Sequence, residues 1–332
     1  MKKLLTVFVV LALAVPASAD FSKVGSAGAQ FLKIGVGSRY QAMGEAGVAT
    51  TNDAYAMYWN PAGLASVEAS TVSFTSVDWF LDVGLNYFGY ARNFEDVGVF
   101  GVSATILSMG DVEITTFEEQ TGTGDFYSAS SYALGLSFAR QLTNKFAFGT
   151  TVKYVGERIA NLKSSSVAFD FGTQLETGFR SLKLGMSISN MGTDMSFKGS
   201  DLDVNYDGLG GTGSNAAVGA QLKTTPYDLP MMFRMGMSYV VPVGQKSNFT
   251  LAGDVRHPND NYQQMSLGVE FDYNEQFFLR AGQKFNYQEE GLSFGGGLST
   301  KISDATKLMV DYAWQDFGRL GSVQRFSVGF GF

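Results

Sequence analysis

Residues able to carry chemistry are few in this chain. Among 332 residues there is one histidine, His257, and no cysteine. His257 falls in RHPNDN, where Pro258, Asn259 and Asp260 supply the ingredients of a turn. Zinc and thiol sites lack ligands, and a Ser/His/Asp triad would rest on that single histidine. The sequence therefore offers no catalytic residue, no cofactor site and no sign of an enzyme. The stretch DLDVNYDGLGGTGS is the one metal candidate: Asp203, Asn205, Asp207 and Gly208 match the opening of a calcium loop, in which alternate oxygens converge on a hard cation. Its twelfth position is Ser214 instead of a bidentate Glu, so the choice lies between a weak calcium site and an Asx-rich turn. The remaining candidates are charges spread along otherwise small, polar strand faces. Asp254, Glu270, Arg280, Asp311 and Arg325 lead this set, joined by Asp170, Glu176, Arg234 and Lys284.

Those charges need elements to hold them, and the dominant period of the chain from residue 70 onward is two. QQMSLGVEFD places Met265, Leu267, Val269 and Phe271 on one face, with Gln264, Ser266, Gly268, Glu270 and Asp272 on the other. KFAFGTTVKYV and FTLAGDVR repeat the pattern. Such apolar/polar dyads of about ten residues predict strands near 70–78, 83–93, 97–108, 128–140, 146–158, 165–177, 182–190, 231–241, 247–256, 263–272, 277–286, 291–300, 306–314 and 323–332. A fifteenth candidate, NAAVGAQL (215–222), would break the even count and is assigned to a long loop. Short turns such as FED, QLTNK and DYNEQ lie on one side. Longer loops near 109–127, 191–230 and 315–322 lie on the other, as between periplasm and exterior.

A soluble sandwich would bury the apolar face in a core. Here the polar faces are short-chained, and charged residues make up only 17% of the sequence. Several apolar faces also end in Tyr154, Tyr239, Tyr312 or Trp314, as an interfacial girdle requires. In lipid every backbone donor and acceptor must be paired internally, so such strands must close into a cylinder. The fold class is thus all-β, a 14-stranded antiparallel transmembrane β-barrel spanning residues 70–332. Glu270 and Arg280, on adjacent strands, are positioned to pair across its wall. Arg325 points inward beside the terminal strand, placed to tie down whatever fills the lumen.

The N-terminus gives the compartment. Lys2 and Lys3, an apolar run from Leu4 to Val15 and Ala17-Ser18-Ala19 before Asp20 compose a signal peptide, residues 1–19, cleaved near Ala19. The sequence has 24 basic and 31 acidic residues; loss of Lys2 and Lys3 leaves 22 basic ones and a charge of −9, a poor match for nucleic acid. Residues 20–69 mix short helical pieces with small residues, Asn52 being a candidate N-cap for a helix over 53–59 that Pro61 stops. A fourteen-stranded lumen leaks unless filled, so this segment is read as an N-terminal plug, or hatch. The terminal strand RFSVGFGF places Phe326, Phe330 and Phe332 toward lipid and resembles the recognition strand read by the barrel-assembly machinery of Gram-negative bacteria.

Four stretches carry a family resemblance: GSRYQAMGEAGVATTNDAYAMYWNPAGLA (37–65), DLPMMFRMGMSY (228–239), RHPNDNYQQMSLGVEF (256–271) and LGSVQRFSVGFGF (320–332). Together they resemble the PorV/PorQ proteins, a branch of the FadL-like outer-membrane barrels, with Asn60, Pro61, Ala62 and Gly63 forming the hatch motif. The resemblance implies a fourteen-stranded outer-membrane barrel with a hatch in its lumen. For the PorV branch it implies type IX secretion, with docking of the C-terminal signal domains of secreted cargo and transfer to a secretion translocon. For FadL proper it implies passive uptake of hydrophobic ligands, for which Met231, Met232, Met235 and Met237 are candidate pocket residues.

Overall fold

The computed structural model describes residues 24–206, 218–303 and 306–332. The proposed signal peptide, with Asp207 of the calcium candidate, lies outside the described residues. The chain's first strands are β1 (Ser70–Asp78), β2 (Val83–Phe94) and β3 (Gly98–Met109), followed by a small hairpin, β4 (Val112–Glu113) and β5 (Phe126–Tyr127). Next come the long strands β6 (Ala129–Thr143), β7 (Phe146–Ile159) and β8 (Leu162–Glu176), then β9 (Lys183–Gly192). A second small hairpin consists of β10 (Asp203–Tyr206) and β11 (Val218–Gln221). The chain finishes with β12 (Met232–Val243), β13 (Ser247–Pro258), β14 (Gln264–Tyr273), β15 (Phe277–Phe285), β16 (Leu292–Lys301), β17 (Lys307–Asp316) and β18 (Ser322–Gly331).

All strands except the two small hairpins form one closed antiparallel barrel of fourteen. Closure occurs between β1 and β18, with Thr71 opposite Gly331 and Asp78 opposite Gln324. The final rung is held by the Phe332 N–H, which donates to the Ser70 carbonyl at 3.0 Å, and by the Ser70 N–H, which donates to the Phe332 carbonyl at 2.8 Å. The described part of the fifteenth candidate lies in β11, outside the barrel as its loop assignment required.

Alternation along each strand settles what faces where. In β14, Gln264, Ser266, Gly268, Glu270 and Asp272 are buried, whereas Met265, Val269 and Tyr273 are exposed. In β18, Arg325 and Ser327 are buried, and Phe326 and Phe330 are exposed beside Phe332. Large side chains on an outward face with polar ones sealed inside is the inverse of a soluble protein, and it is what lipid around a closed wall demands.

Residues 24–69 lie inside this wall. They fold as a 3-10 turn (Gln30–Lys33), helix α1 (Ser38–Ala42), helix α2 (Ala56–Trp59) and a second 3-10 helix (Pro61–Ser66). α1 packs on β15 to β18, and the second 3-10 helix packs on β6, β7 and β8. Tyr40, Tyr55 and Trp59 join Val77, Leu85 and Tyr87 of the wall in one buried cluster. The expected helix from residue 53 is shorter, beginning at Ala56, and Asn52 does not cap it. The Asn52 amide oxygen accepts instead from Arg39, while Asp53 Oδ1 accepts from the Tyr55 N–H, so the turn before the helix uses up the capping groups.

Candidate functional site

The site with the most defined geometry is the joint between plug and wall. It begins at Asn60, whose backbone is extended and whose side chain is fully used. The Asn60 amide nitrogen donates to the carbonyls of Val48 (2.8 Å) and of Thr173 on β8 (3.0 Å), and its oxygen accepts from the Ala62 N–H (3.2 Å). Pro61 follows at the first helical position, where its fixed φ fits and no N–H is missed. One residue therefore caps the 3-10 helix and bolts it to the barrel.

Close approach needs wall positions without side chains. A Cβ on Gly172 would lie 2.0 Å from Asn60 Oδ1, and one on Gly149 would lie 2.4 Å from the Pro61 carbonyl carbon. On the neighbouring strand β9, Gly185 would meet the Val48 carbonyl oxygen at 2.4 Å; across the lumen, Gly282 would meet the Gly44 nitrogen at 2.1 Å and Gly268 the Met43 carbonyl oxygen at 2.4 Å. Backbone of the plug thus lies directly against backbone of the wall on both sides. Gly63 itself is required because its Cβ would meet the Thr51 carbonyl oxygen at 2.5 Å.

Ion pairs complete the joint. Glu45 of the plug bonds Arg256 on β13 at 2.7 Å and Lys284 on β15 at 2.8 Å. Burial alone would raise the Glu45 pKa, but Lys284 and Arg256 outweigh it and hold the carboxyl at about 2. Lys284 also pairs with Glu290 beyond the end of β15. A second chain of charges runs from Arg39 on the plug to Glu270 (2.9 Å), on to Arg280 (2.5 Å) and to Asp311 (2.5 Å). Glu270 and Arg280 face each other in register on β14 and β15. Asp254 of β13 accepts from the Val48 N–H at 2.9 Å, and the Ser38 N–H donates to Ser327 Oγ on β18 at 2.8 Å. Burial pushes the Asp53 pKa up despite the opposing effect of Arg39, and its carboxylate accepts from Tyr40 Oη at 2.9 Å.

Several sequence expectations take another place. Arg325 is buried but does not tie down the plug: it donates to Gln315 on β17 at 2.7 Å and lies over Trp79, bracing wall against wall. The plug contact on that strand belongs to Ser327. Glu176 is not a lumen charge; it ends β8 exposed and pairs with Lys183 at the rim. His257 lies in strand β13 opposite Phe233 and not in a loop, because the ladder continues to Pro258 before the chain turns. Of the calcium candidate, Asp203 and Asn205 sit on strand β10, where Asp203 accepts from Gln221 at 3.0 Å, and Asp207 lies outside the described residues. Of the methionine set, Met232 is buried inward, whereas Met231 and Met235 are exposed outward. Arg39, Glu45 and the contact of the wall glycines with the plug escaped the sequence reading. The signal for the glycines was present: each occupies an inward position of its strand.

Above the plug, the lumen opens on the long-loop side in a cleft of about 400 Å³, lined in part by Trp79, Phe80 and Phe317, whose rings pack edge to face. Lys33, Arg256, Gln264 and Glu290 also border it, so the cleft is mixed in character.

With this geometry in view, the family model described as Type IX secretion system protein PorV matches residues 17–200. The chain belongs to the PorV family. No curated protein matches it by sequence. Among solved structures, the CymD monoaromatic hydrocarbon channel is similar at 14% identity with a TM-score of 0.57, covering 90% of this chain and 97% of that one. The toluene transporter TbuX of Ralstonia pickettii gives 12% and 0.55, covering 89% and 97%. The toluene transporter TodX of Pseudomonas putida gives 12% and 0.54, with coverage of 89% and 97%. At such identity these likenesses establish the FadL-like barrel alone. Membership of the PorV family and the closed barrel make this an outer-membrane protein of the type IX secretion class, built on a fold shared with channels.

Proposed function

We propose that this PorV-family barrel is a non-enzymatic docking component, which holds the C-terminal signal domain of secreted cargo at its outer face and passes it to a secretion translocon. The observation that carries this reading is the plug. A lumen in which backbone touches backbone at Gly149, Gly282 and Gly185, with Glu45 ion-paired to β13 and β15, is a poor conduit for a folded or extended polypeptide. Work on a protein partner is then done at the long-loop face.

That face carries suitable surface. The β4–β5 hairpin and its loop, residues 110–127, present Phe117 and Phe126 exposed, together with Asp111, Glu113, Glu118, Glu119 and Asp125 and no basic residue. Apolar anchors ringed by one sign of charge suit a partner of complementary charge. The test is pull-down of the detergent-purified barrel with an isolated cargo signal domain from the same organism. Retention of that domain is expected, and its loss in a variant lacking residues 112–127. Equal recovery with an unrelated outer-membrane barrel as bait would overturn the reading.

A second reading, passive uptake of hydrophobic small molecules, is favoured by the cleft beneath Trp79, Phe80 and Phe317. A fatty acid or aromatic hydrocarbon recovered by organic extraction of the purified protein would support it, and an extract holding detergent alone would count against it.

A further inference from the structure

The outer rim of β7 and β8 carries an arrangement that neither plug nor cargo docking uses. Arg158 on β7 pairs in register with Lys163 on β8, and Lys163 pairs in turn with Lys198 of the following loop. Three cations therefore sit side by side on one surface of the wall. All three are exposed, and none takes part in an ion pair with another described residue. Like charges directly opposite one another on neighbouring strands repel, so this row is unfavourable until an anion covers it.

What lies below the row says which anion. Strand alternation puts Tyr132, Gly156, Ser165 and Ser196 one step toward the membrane on the same outward face, with Tyr154 and Val167 one step further. The Tyr132 ring lies across Gly156: a Cβ there would meet it at 2.5 Å. Apolar side chains of the belt follow, among them Leu136, Val152 and Phe169, all exposed. Lys163 stands four residues beyond Val167, which is about 10 Å along the membrane normal for a tilted strand. A lysine or arginine side chain reaches back over that distance to the headgroup layer. Arg158, Lys163 and Lys198, with Tyr132, Tyr154, Ser165 and Ser196, border a cleft of about 830 Å³. Of its carboxylates, Glu157 is engaged by Tyr227 and Ser131, and Asp194 lies at the level of Val167, below the cations.

We propose that Arg158, Lys163 and Lys198 form a binding site for the phosphate-bearing headgroup of an outer-leaflet glycolipid. The two serines donate hydrogen bonds to the headgroup, and the acyl chains lie along Tyr132, Tyr154 and the belt below. A free inorganic anion would satisfy the charges but not the apolar floor, and the experiment separates the two.

The detergent-solubilised protein is incubated with bis-phosphorylated lipid A and analysed by native mass spectrometry. One lipid A is expected to stay bound, with at least tenfold lower occupancy in Arg158→Ala/Lys163→Ala/Lys198→Ala and at least tenfold lower occupancy for dephosphorylated lipid A. Millimolar inorganic phosphate should leave the complex intact. Folding of the variant is checked by its heat-modifiable migration on gels, and the charge-preserving set Arg158→Lys/Lys163→Arg/Lys198→Arg should retain the lipid. If the triple variant does not fold, Lys198→Ala, which alters only the loop, should still lower occupancy. Equal occupancy in wild type and the alanine variants, equal binding of the dephosphorylated lipid, or displacement by inorganic phosphate would each overturn the proposal.

Discussion

Replacing Glu45 by glutamine keeps the shape of the plug and deletes the charge that faces Arg256 and Lys284. Both cations are held far from water, with side-chain exposures of 12% for Arg256 and 0% for Lys284. Breaking a buried pair by removing one member costs about 3–5 kcal/mol, chiefly because the remaining charge is stranded. Glu290 still faces Lys284, which favours the lower end of that range. The carboxyl's displacement from the usual 4.5 to about 2 gives a second route to the cost, and at 1.36 kcal/mol per pH unit it also yields about 3 kcal/mol. The sign follows from the direction. A carboxyl whose folded pKa is depressed stabilises the fold above its unfolded pKa, and that contribution is lost as pH falls from about 4.5 through about 2. Urea titration of the barrel in lipid vesicles, read by migration on unheated gels, should therefore show Glu45→Gln about 3 kcal/mol less stable at pH 7. The deficit should shrink toward zero near pH 2. Adding Lys284→Met to Glu45→Gln should restore part of the loss. A Glu45→Gln barrel matching wild type within about 0.5 kcal/mol at pH 7 would refute the reasoning, since that gap is far below the cost of a stranded buried charge.

Three further outcomes follow from the same contacts. Gly172→Leu forces a side chain into Asn60 and should release the plug from β8, raising single-channel conductance in planar bilayers; unchanged conductance would mean that the plug does not depend on this contact. Asn60→Ala removes hydrogen bonds to Val48 and Thr173 and should cost about 1–3 kcal/mol, measured in the same urea titration, with a loss below about 0.5 kcal/mol contradicting the bolt described above. Phe332→Ala keeps the backbone bonds to Ser70 but loses the terminal ring, so a drop in membrane-inserted protein in cells, at normal stability once folded, would mark the ring as an assembly signal. Wild-type amounts of inserted barrel would assign Phe332 to closure alone.

The barrel was legible because its two solvents differ so sharply. Lipid outside and small polar residues inside impose period two on every strand, and the turns between them carry Gly, Asn and Asp. Fourteen strands and their order could therefore be read without tertiary information. Glu270 and Arg280 were legible as a pair for the same reason, since register between adjacent hairpin strands is fixed by a short turn. His257 was misplaced because turn residues mark where a turn begins only to within a residue or two, and the ladder persisted through Pro258. Arg325 was misassigned because direction can be read from alternation but partner cannot: Gln315 and Trp79 reach it first.

The plug was legible in kind but not in its contacts, and the cause is physical. Residues 24–69 have no period, because a segment surrounded on all sides by a wall has no solvent face to alternate against. Its helices are too short for pattern, at five residues for α1 and four for α2. What fixes it is the wall, through missing side chains at Gly149, Gly172, Gly185, Gly268 and Gly282 and through cations at Arg256 and Lys284. Only the inward positions of the strands record the plug's shape, as absences and as charges. A glycine at an inward position reads as a defect in a strand considered alone, and as a mould once the fourteen strands are closed around their stopper. The same logic gives the outer face its meaning. Where an outward position should be apolar and is instead Arg158 or Lys163, the departure marks the level at which lipid tails end and anionic headgroups begin.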